Sequence, residues 1–120
     1  MATILVIDDE QITRSILHAV LEEDGHQVLE ASNGRVGLAL YQERHVDLII
    51  TDIVMPEMSG IDLMLELTRK NHNVKVIAIS AGLNSDRGLR VATALGARRT
   101  FHKPFNVEEI RRSVRDVLAH

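Results

Sequence analysis

Short apolar runs alternate along the chain with stretches of helical period. The runs are Ile4 to Ile7, Val28-Leu29, Val46 to Ile50 (broken by Asp47), Val74 to Ile79 (broken by Lys75) and Thr100-Phe101. The first, third and fourth are rich in β-branched residues and apolar on both faces, the pattern of parallel strands covered on both sides. Between them, Ile12, Ile16, Val20 and Leu21 predict one face of a first helix, with Gly25 at its C-terminal end. Val36, Leu40 and Tyr41 predict a second helix after Ser32-Asn33. Ile61, Leu63, Met64, Leu65 and Leu67 predict a third, capped by Ser59 with Asp62 at the capping-box position. Leu89, Val91, Ala92 and Leu95 predict a fourth that contains Gly88. Ile110, Val114, Val117 and Leu118 predict a fifth, with Asn106 and Glu109 as its capping box.

Strand and helix thus alternate five times in 120 residues, which predicts an α/β, doubly wound (βα)5 domain spanning residues 1–120. Five strands are too few for an eight-stranded barrel. No repeat, linker or low-complexity tract interrupts the pattern.

Composition narrows the chemistry. Fourteen basic and 17 acidic residues leave a formal charge of −3, which argues against a surface built to coat nucleic acid or an anionic membrane. There is no Cys, so thiolate chemistry and disulfides are excluded. No apolar run approaches the ~20 residues of a membrane span, and no signal-like leader is present. One Tyr, two Phe and no Trp offer little for stacking nucleic acid bases. The expectation is a soluble, cytoplasmic domain whose chemistry comes from oxygen groups, Lys or His. The six histidines (18, 26, 45, 72, 102 and 120) are scattered without ligand spacing, and Arg111, Arg112 and Arg115 read as a solvated helix face.

Open α/β sheets bind ligands beyond the carboxyl ends of their strands, at the switch point in strand order. Asp8, Asp9 and Glu10 follow the first strand, Asp52 ends the third, Ser80 ends the fourth and Lys103 follows the fifth. In a 2-1-3-4-5 order the first and third strands are neighbours, which would bring Asp8, Asp9 and Asp52 within touching distance. Two like charges ~4 Å apart repel by about 4 kcal/mol at an effective dielectric of ~20, a burden that a divalent cation removes. Oxygen-only ligands suit Mg²⁺, which binds through a few carboxylates plus a phosphate. The acidic first loop also differs from the Gly-rich loop of dinucleotide folds.

Four motifs, Val6-Ile7-Asp8-Asp9-Glu10, Asp52-Ile53-Val54-Met55-Pro56-Glu57-Met58-Ser59-Gly60, Ser80-Ala81 and Lys103-Pro104-Phe105, occur in order at the strand ends. By these the whole chain resembles the receiver domain of two-component response regulators. The resemblance implies the flavodoxin-like fold with strand order 2-1-3-4-5. It implies Asp52 as phosphoacceptor from a phosphohistidine of a histidine kinase or histidine phosphotransfer protein. Asp9, Asp52 and the backbone carbonyl of Val54 would hold Mg²⁺, with Asp8 assisting. Lys103 would pair with the phosphoryl group, Ser80 would hydrogen-bond it and act as a switch, and the Lys103-Pro104 bond would be cis. The family's aromatic switch position holds Thr100, and Val54 and Gly82 offer no polar group to orient an attacking water, which predicts a slowly decaying acyl phosphate.

Two other functions are weighed. An enzyme of the haloacid-dehalogenase kind wants an Asp where Val54 stands, and a cap domain. A phosphate-independent interaction domain would have no use for the intact Asp9, Asp52 and Lys103. The expected partners are therefore a phosphodonor protein and a downstream protein or a separate output domain, with no direct contact to nucleic acid or membrane. The chain's extent suits both a stand-alone protein and a receiver cut from a longer regulator.

Overall fold

The computed structural model describes residues 1–70 and 73–120; His72 lies outside the described residues. Strands β1 (Thr3–Ile7), β2 (Gln27–Ala31), β3 (Leu48–Asp52), β4 (Lys75–Ser80) and β5 (Arg99–His102) alternate with helices α1 (Gln11–Glu23), α2 (Gly34–Glu43), α3 (Gly60–Arg69), α4 (Ser85–Ala94) and α5 (Val107–Ala119). All strand pairs are parallel, in the order β2-β1-β3-β4-β5.

The strands are apolar on both faces because both faces are covered. Ile4, Val6, Leu48, Ile50, Ile77 and Ile79 pack with Leu17 and Leu21 of α1 and Ile110, Val114 and Val117 of α5. The alternate residues Leu5, Ile7, Ile49, Val76 and Ala78 pack with α3 and α4 through Leu63, Met64, Leu67, Leu89 and Ala92. Period-2 alternation along each strand therefore sorts side chains between two cores. Each fully buried Leu or Ile contributes about 1.5–3 kcal/mol of transfer free energy.

Local signals hold at most helix ends. Ser59 and Asp62 form the reciprocal capping box of α3. Asn106 accepts from the Glu109 amide, the forward half of the box expected for α5. Gly25, with φ +90°, follows the C-cap of α1. The face of α1 differs from the sequence expectation. Leu17 and Leu21 are buried, while Ile12 is 76% and Ile16 43% exposed. The sheet-facing flank instead includes the polar Arg14 and His18, both held by Glu30 of β2 at 3.3 and 2.6 Å. Arg111 also departs from a simple solvated face: it ties α5 to the end of α1 through Glu23 and Asp24. Among the described residues, no helix is long and apolar enough to cross a membrane.

Candidate functional site

The parallel ladder places the polar groups. Ile7 pairs with Thr51, so the residues that follow, Asp8 and Asp52, emerge side by side where β1 and β3 end. Both are buried, Asp8 with only 1% of its surface exposed. Ser80 ends β4 and is buried. Its backbone pairs with His102, and the Lys103 amide donates to the Ser80 carbonyl at 2.8 Å, which carries the ladder one residue further. The peptide bond from Lys103 to Pro104 is cis.

The backbone around the carboxylates is pinned. Arg14 Nη1 donates to the Asp8 carbonyl at 2.6 Å, and the Asp8 amide donates to the Ala31 carbonyl at 3.1 Å. Asp52 Oδ1 accepts from the Val54 amide at 3.2 Å. The first residue of α3 sits against the Asp52 carbonyl so closely that any Cβ at Gly60 would overlap it. This accounts for the glycine eight residues beyond Asp52.

One ammonium serves three carboxylates. Lys103 Nζ lies 2.8 Å from Asp8 Oδ2, 2.7 Å from Glu10 Oε1 and 2.9 Å from Asp52 Oδ2. With every group ionised the cluster carries two uncompensated negative charges. Burial pushes the Asp8 carboxyl above its usual range, against the pull of Lys103 and the Glu10 amide. Exposed Glu10 is lowered by its hydrogen bond to Lys103. Burial disfavours the Lys103 ammonium, yet its contacts with the three carboxylates outweigh it and hold the group above the usual lysine range. Lys103 is thus a fixed cation rather than a proton carrier.

Among the described residues, the buried Ser80 Oγ has no hydrogen-bond partner, and Asp8 Oδ2 has only its 2.8 Å contact with Lys103 Nζ. Buried polar atoms are ordinarily satisfied, so the Ser80 hydroxyl at this rim is suited to a group from outside the chain. The metal-ligand geometry converges on Asp8, Glu10 and Asp52, with one oxygen of each within 4.8 Å of the others. An all-oxygen set with surplus negative charge fits a hard divalent cation that retains open positions.

The sequence-predicted residues divide accordingly. Asp8, Asp52 and Lys103 meet, with Ser80 on the adjoining strand. Asp9, expected as a direct ligand, is exposed and lies outside the converging group. Glu10 stands in that group instead. It belonged to the acidic run of the first motif, but its position depends on Lys103 reaching across from β5, which no local pattern reports. Val54 is 68% exposed in the loop after Asp52. Thr100 lies apart, on a groove of about 480 Å³ between α4 and β5 that Leu89, Arg90 and Thr93 also line. A cavity of about 980 Å³ lies at the opposite, N-terminal edge of the sheet beside Ala2, His26 and Lys75, and none of these groups lines it.

Relatives carry the same architecture. Protein PilH of Pseudomonas aeruginosa is 34% identical over 120 residues, covering 99% of both chains. Sporulation initiation phosphotransferase F of Bacillus subtilis is 32% identical, covering 96% of this chain and 92% of its own. Transcriptional regulatory protein CpxR of Klebsiella pneumoniae is 39% identical, but this chain spans only 50% of its length. Among solved structures, a response regulator receiver domain protein from Clostridium thermocellum superposes with a TM-score of 0.89 at 30% identity, covering 99% of this chain and 95% of that one. The chemotaxis protein CheY4 of Vibrio cholerae superposes at 0.86 with 28% identity, covering 98% of each chain. The family model of the response regulator receiver domain matches residues 4–115. With its acidic pocket, its lysine and its β2-β1-β3-β4-β5 sheet, the chain belongs to the response regulator receiver domains of two-component signalling, a family of phosphoacceptor switches.

Proposed function

We propose that Asp52 is the phosphoacceptor of this receiver and that residues 1–120 act as one switching unit in the cytoplasm. The observation that supports it is the setting of this carboxylate: buried at a strand end, 2.9 Å from a fixed ammonium, with a buried serine hydroxyl at the end of the adjoining strand that has no partner among the described residues. An Asp52 oxygen attacks the phosphorus of a phosphohistidine on a histidine kinase or histidine phosphotransfer protein. The new O–P bond forms as the N–P bond breaks, and the electron pair stays on the imidazole nitrogen, which takes a proton from solvent. Lys103 moves its attention from the carboxylates to the phosphoryl oxygens, and Ser80 Oγ donates to one of them. The protein contributes position and charge.

Asp8, Asp52 and the Val54 carbonyl would hold Mg²⁺, with Glu10 beside them. Asp9, in the same loop and without a hydrogen bond or ion pair among the described residues, is the further ligand that the family pattern assigns. When bound, Mg²⁺ neutralises the charge that builds between carboxylates and phosphoryl oxygens. The chain catalyses at most its own phosphorylation and dephosphorylation. The altered surface is then read by a downstream protein or a linked output domain.

Incubation with Mg²⁺ and a small phosphodonor tests the assignment by intact mass. The wild-type chain gains one phosphoryl group and the Asp52→Asn variant gains none. Equal labelling of the variant would overturn it. A phosphate-independent interaction domain predicts no labelling of either chain, and the conjunction of Asp8, Asp52 and Lys103 argues against that reading.

A further inference from the structure

We propose that His102 is a positioning residue that closes the β4–α4 loop and couples the Asp52 pocket to the outer face of α4. This rests on the reading of Asp52 as the phosphoacceptor. Through its backbone, His102 pairs with Ser80 at the start of the loop. Through its ring it reaches the other end: Nδ1 lies 2.9 Å from Ser85 Oγ and Nε2 lies 3.0 Å from Asp86 Oδ1. One residue therefore grips both ends of the segment 81–84. The next residue is Lys103, the cation of the pocket.

Little else restrains that segment. Residues 81–84 are all exposed, Leu83 completely so. Gly82 takes φ +95° with open space around it. Asn84, the N-cap of α4, makes no side-chain capping bond. Further along, Leu89 and Ala92 anchor α4 in the core. The first turn of α4 thus lacks a side-chain cap, is anchored in the core further along, and is tied to β5 by the His102 imidazole.

The ring chemistry defines the role. Nδ1 shares a hydrogen bond with the Ser85 hydroxyl, in a direction set by the tautomer, and Nε2 faces the Asp86 carboxylate at ion-pair distance. The ring thus holds Ser85 and Asp86 from one side and acts as a tether between β5 and the first turn of α4. The trio has the composition of a hydrolytic triad, but Ser85 does not line the neighbouring groove that Asp86, Arg90 and His102 share. Thr100, three residues before Lys103, lines the groove between α4 and β5. His102 supplies a different physical link between the same strand and the same helix.

The test uses the full chain with Mg²⁺ and beryllofluoride, followed by amide NMR and hydrogen exchange. The Ser85→Ala/Asp86→Asn double variant opens the clasp from α4 without touching β5, and His102→Ala opens it from β5. In the wild-type chain, amides around Ser80 and amides of residues 85–88 respond together. In both variants the Ser80 response remains, the response at 85–88 falls about fivefold, and exchange at 85–88 in the free protein rises about fivefold. His102→Gln, which retains a donor and an acceptor, restores part of the α4 response. Unchanged response and exchange at 85–88 in both variants would overturn the proposal. A wild-type chain that ignores beryllofluoride would instead remove the Asp52 assignment, while the exchange measurement in the free protein would still decide the clasp.

Discussion

Lys103 Nζ sits 2.9 Å from Asp52 Oδ2, so the proposed nucleophile is already paired with the cation that its phosphorylated form will need. The same ammonium also touches Asp8 and Glu10. Replacing Lys103 by Ala strips the cluster of its fixed cation and leaves the phosphoryl oxygens without a point charge. Phosphorylation by a small donor is expected to slow by about a hundredfold, the scale of losing one preorganised donor to developing charge. Stopped-flow or mass measurement of the labelling rate at saturating Mg²⁺ checks it, and a loss below threefold would count against the role given to Lys103.

Asp8 burdens the fold that carries it. Its carboxyl is raised by burial, so the folded state holds that proton more tightly than the unfolded chain does. The sign follows: the folded state is favoured while Asp8 is protonated, and that advantage is lost as pH rises from the ordinary value of 3.8 through the raised one. Asp8→Asn is expected to raise the melting temperature at pH 7 by about 5 °C without Mg²⁺ and to leave it unchanged near pH 3. Calorimetry at the two pH values checks the difference. Added Mg²⁺ stabilises the wild-type chain and narrows the gap.

Carboxyls with lowered values set the acid limb. Glu10 is held down by Lys103, Asp24 by Arg111 and Asp47 by the Thr3 amide. Their contributions are present above the ordinary carboxyl values and fade as pH falls through the lowered ones. Asp47 also ends the strand-like pairing at the N-terminal edge, accepting from Thr3 at 2.8 Å. Asp47→Ala should cost about 1 kcal/mol at pH 7 and flatten the loss of stability below pH ~4, as read by urea unfolding across pH.

Gly60 is required by proximity. A Cβ there would overlap the Asp52 carbonyl, so Gly60→Ala must shift either the start of α3 or the end of β3. The expected cost is about 2 kcal/mol in urea unfolding, together with slower phosphorylation as Asp52 moves. A variant with native labelling kinetics would show that the displacement is absorbed by α3 alone.

The loop after Asp52 also predicts the lifetime of the acyl phosphate. Val54 is exposed and apolar, and Gly82 has open space in place of a side chain. Neither orients water. Val54→Asn is expected to shorten the lifetime of phosphorylated Asp52 by about tenfold. Timing the loss of the label by mass spectrometry checks it, and an unchanged lifetime would place the control of hydrolysis elsewhere.

Much of this was legible in the sequence because buried parallel strands advertise themselves. The runs Ile4 to Ile7 and Val76 to Ile79 are apolar on both faces since each face meets helices, and strand ends then locate Asp8, Asp52, Ser80 and Lys103. The buried face of α1 departs from its hydrophobic period for a physical reason. Arg14 and His18 turn toward β2 because Glu30 receives them, so the buried flank carries charge and the apolar Ile12 and Ile16 face outward. Hydrophobic periodicity cannot register a polar contact made by a partner twelve or sixteen residues away. The place of Glu10 in the cluster and the reach of His102 to Ser85 are of the same kind, each fixed by a pairing between distant segments.

The pocket hangs on backbone ladders and strand termini, while the outward surfaces of the helices bear none of its groups. Chemistry and recognition are therefore separable in this chain. The solvent side of a helix can be rewritten to choose a new correspondent while the pocket underneath stays unaltered, which lets one small scaffold serve many circuits.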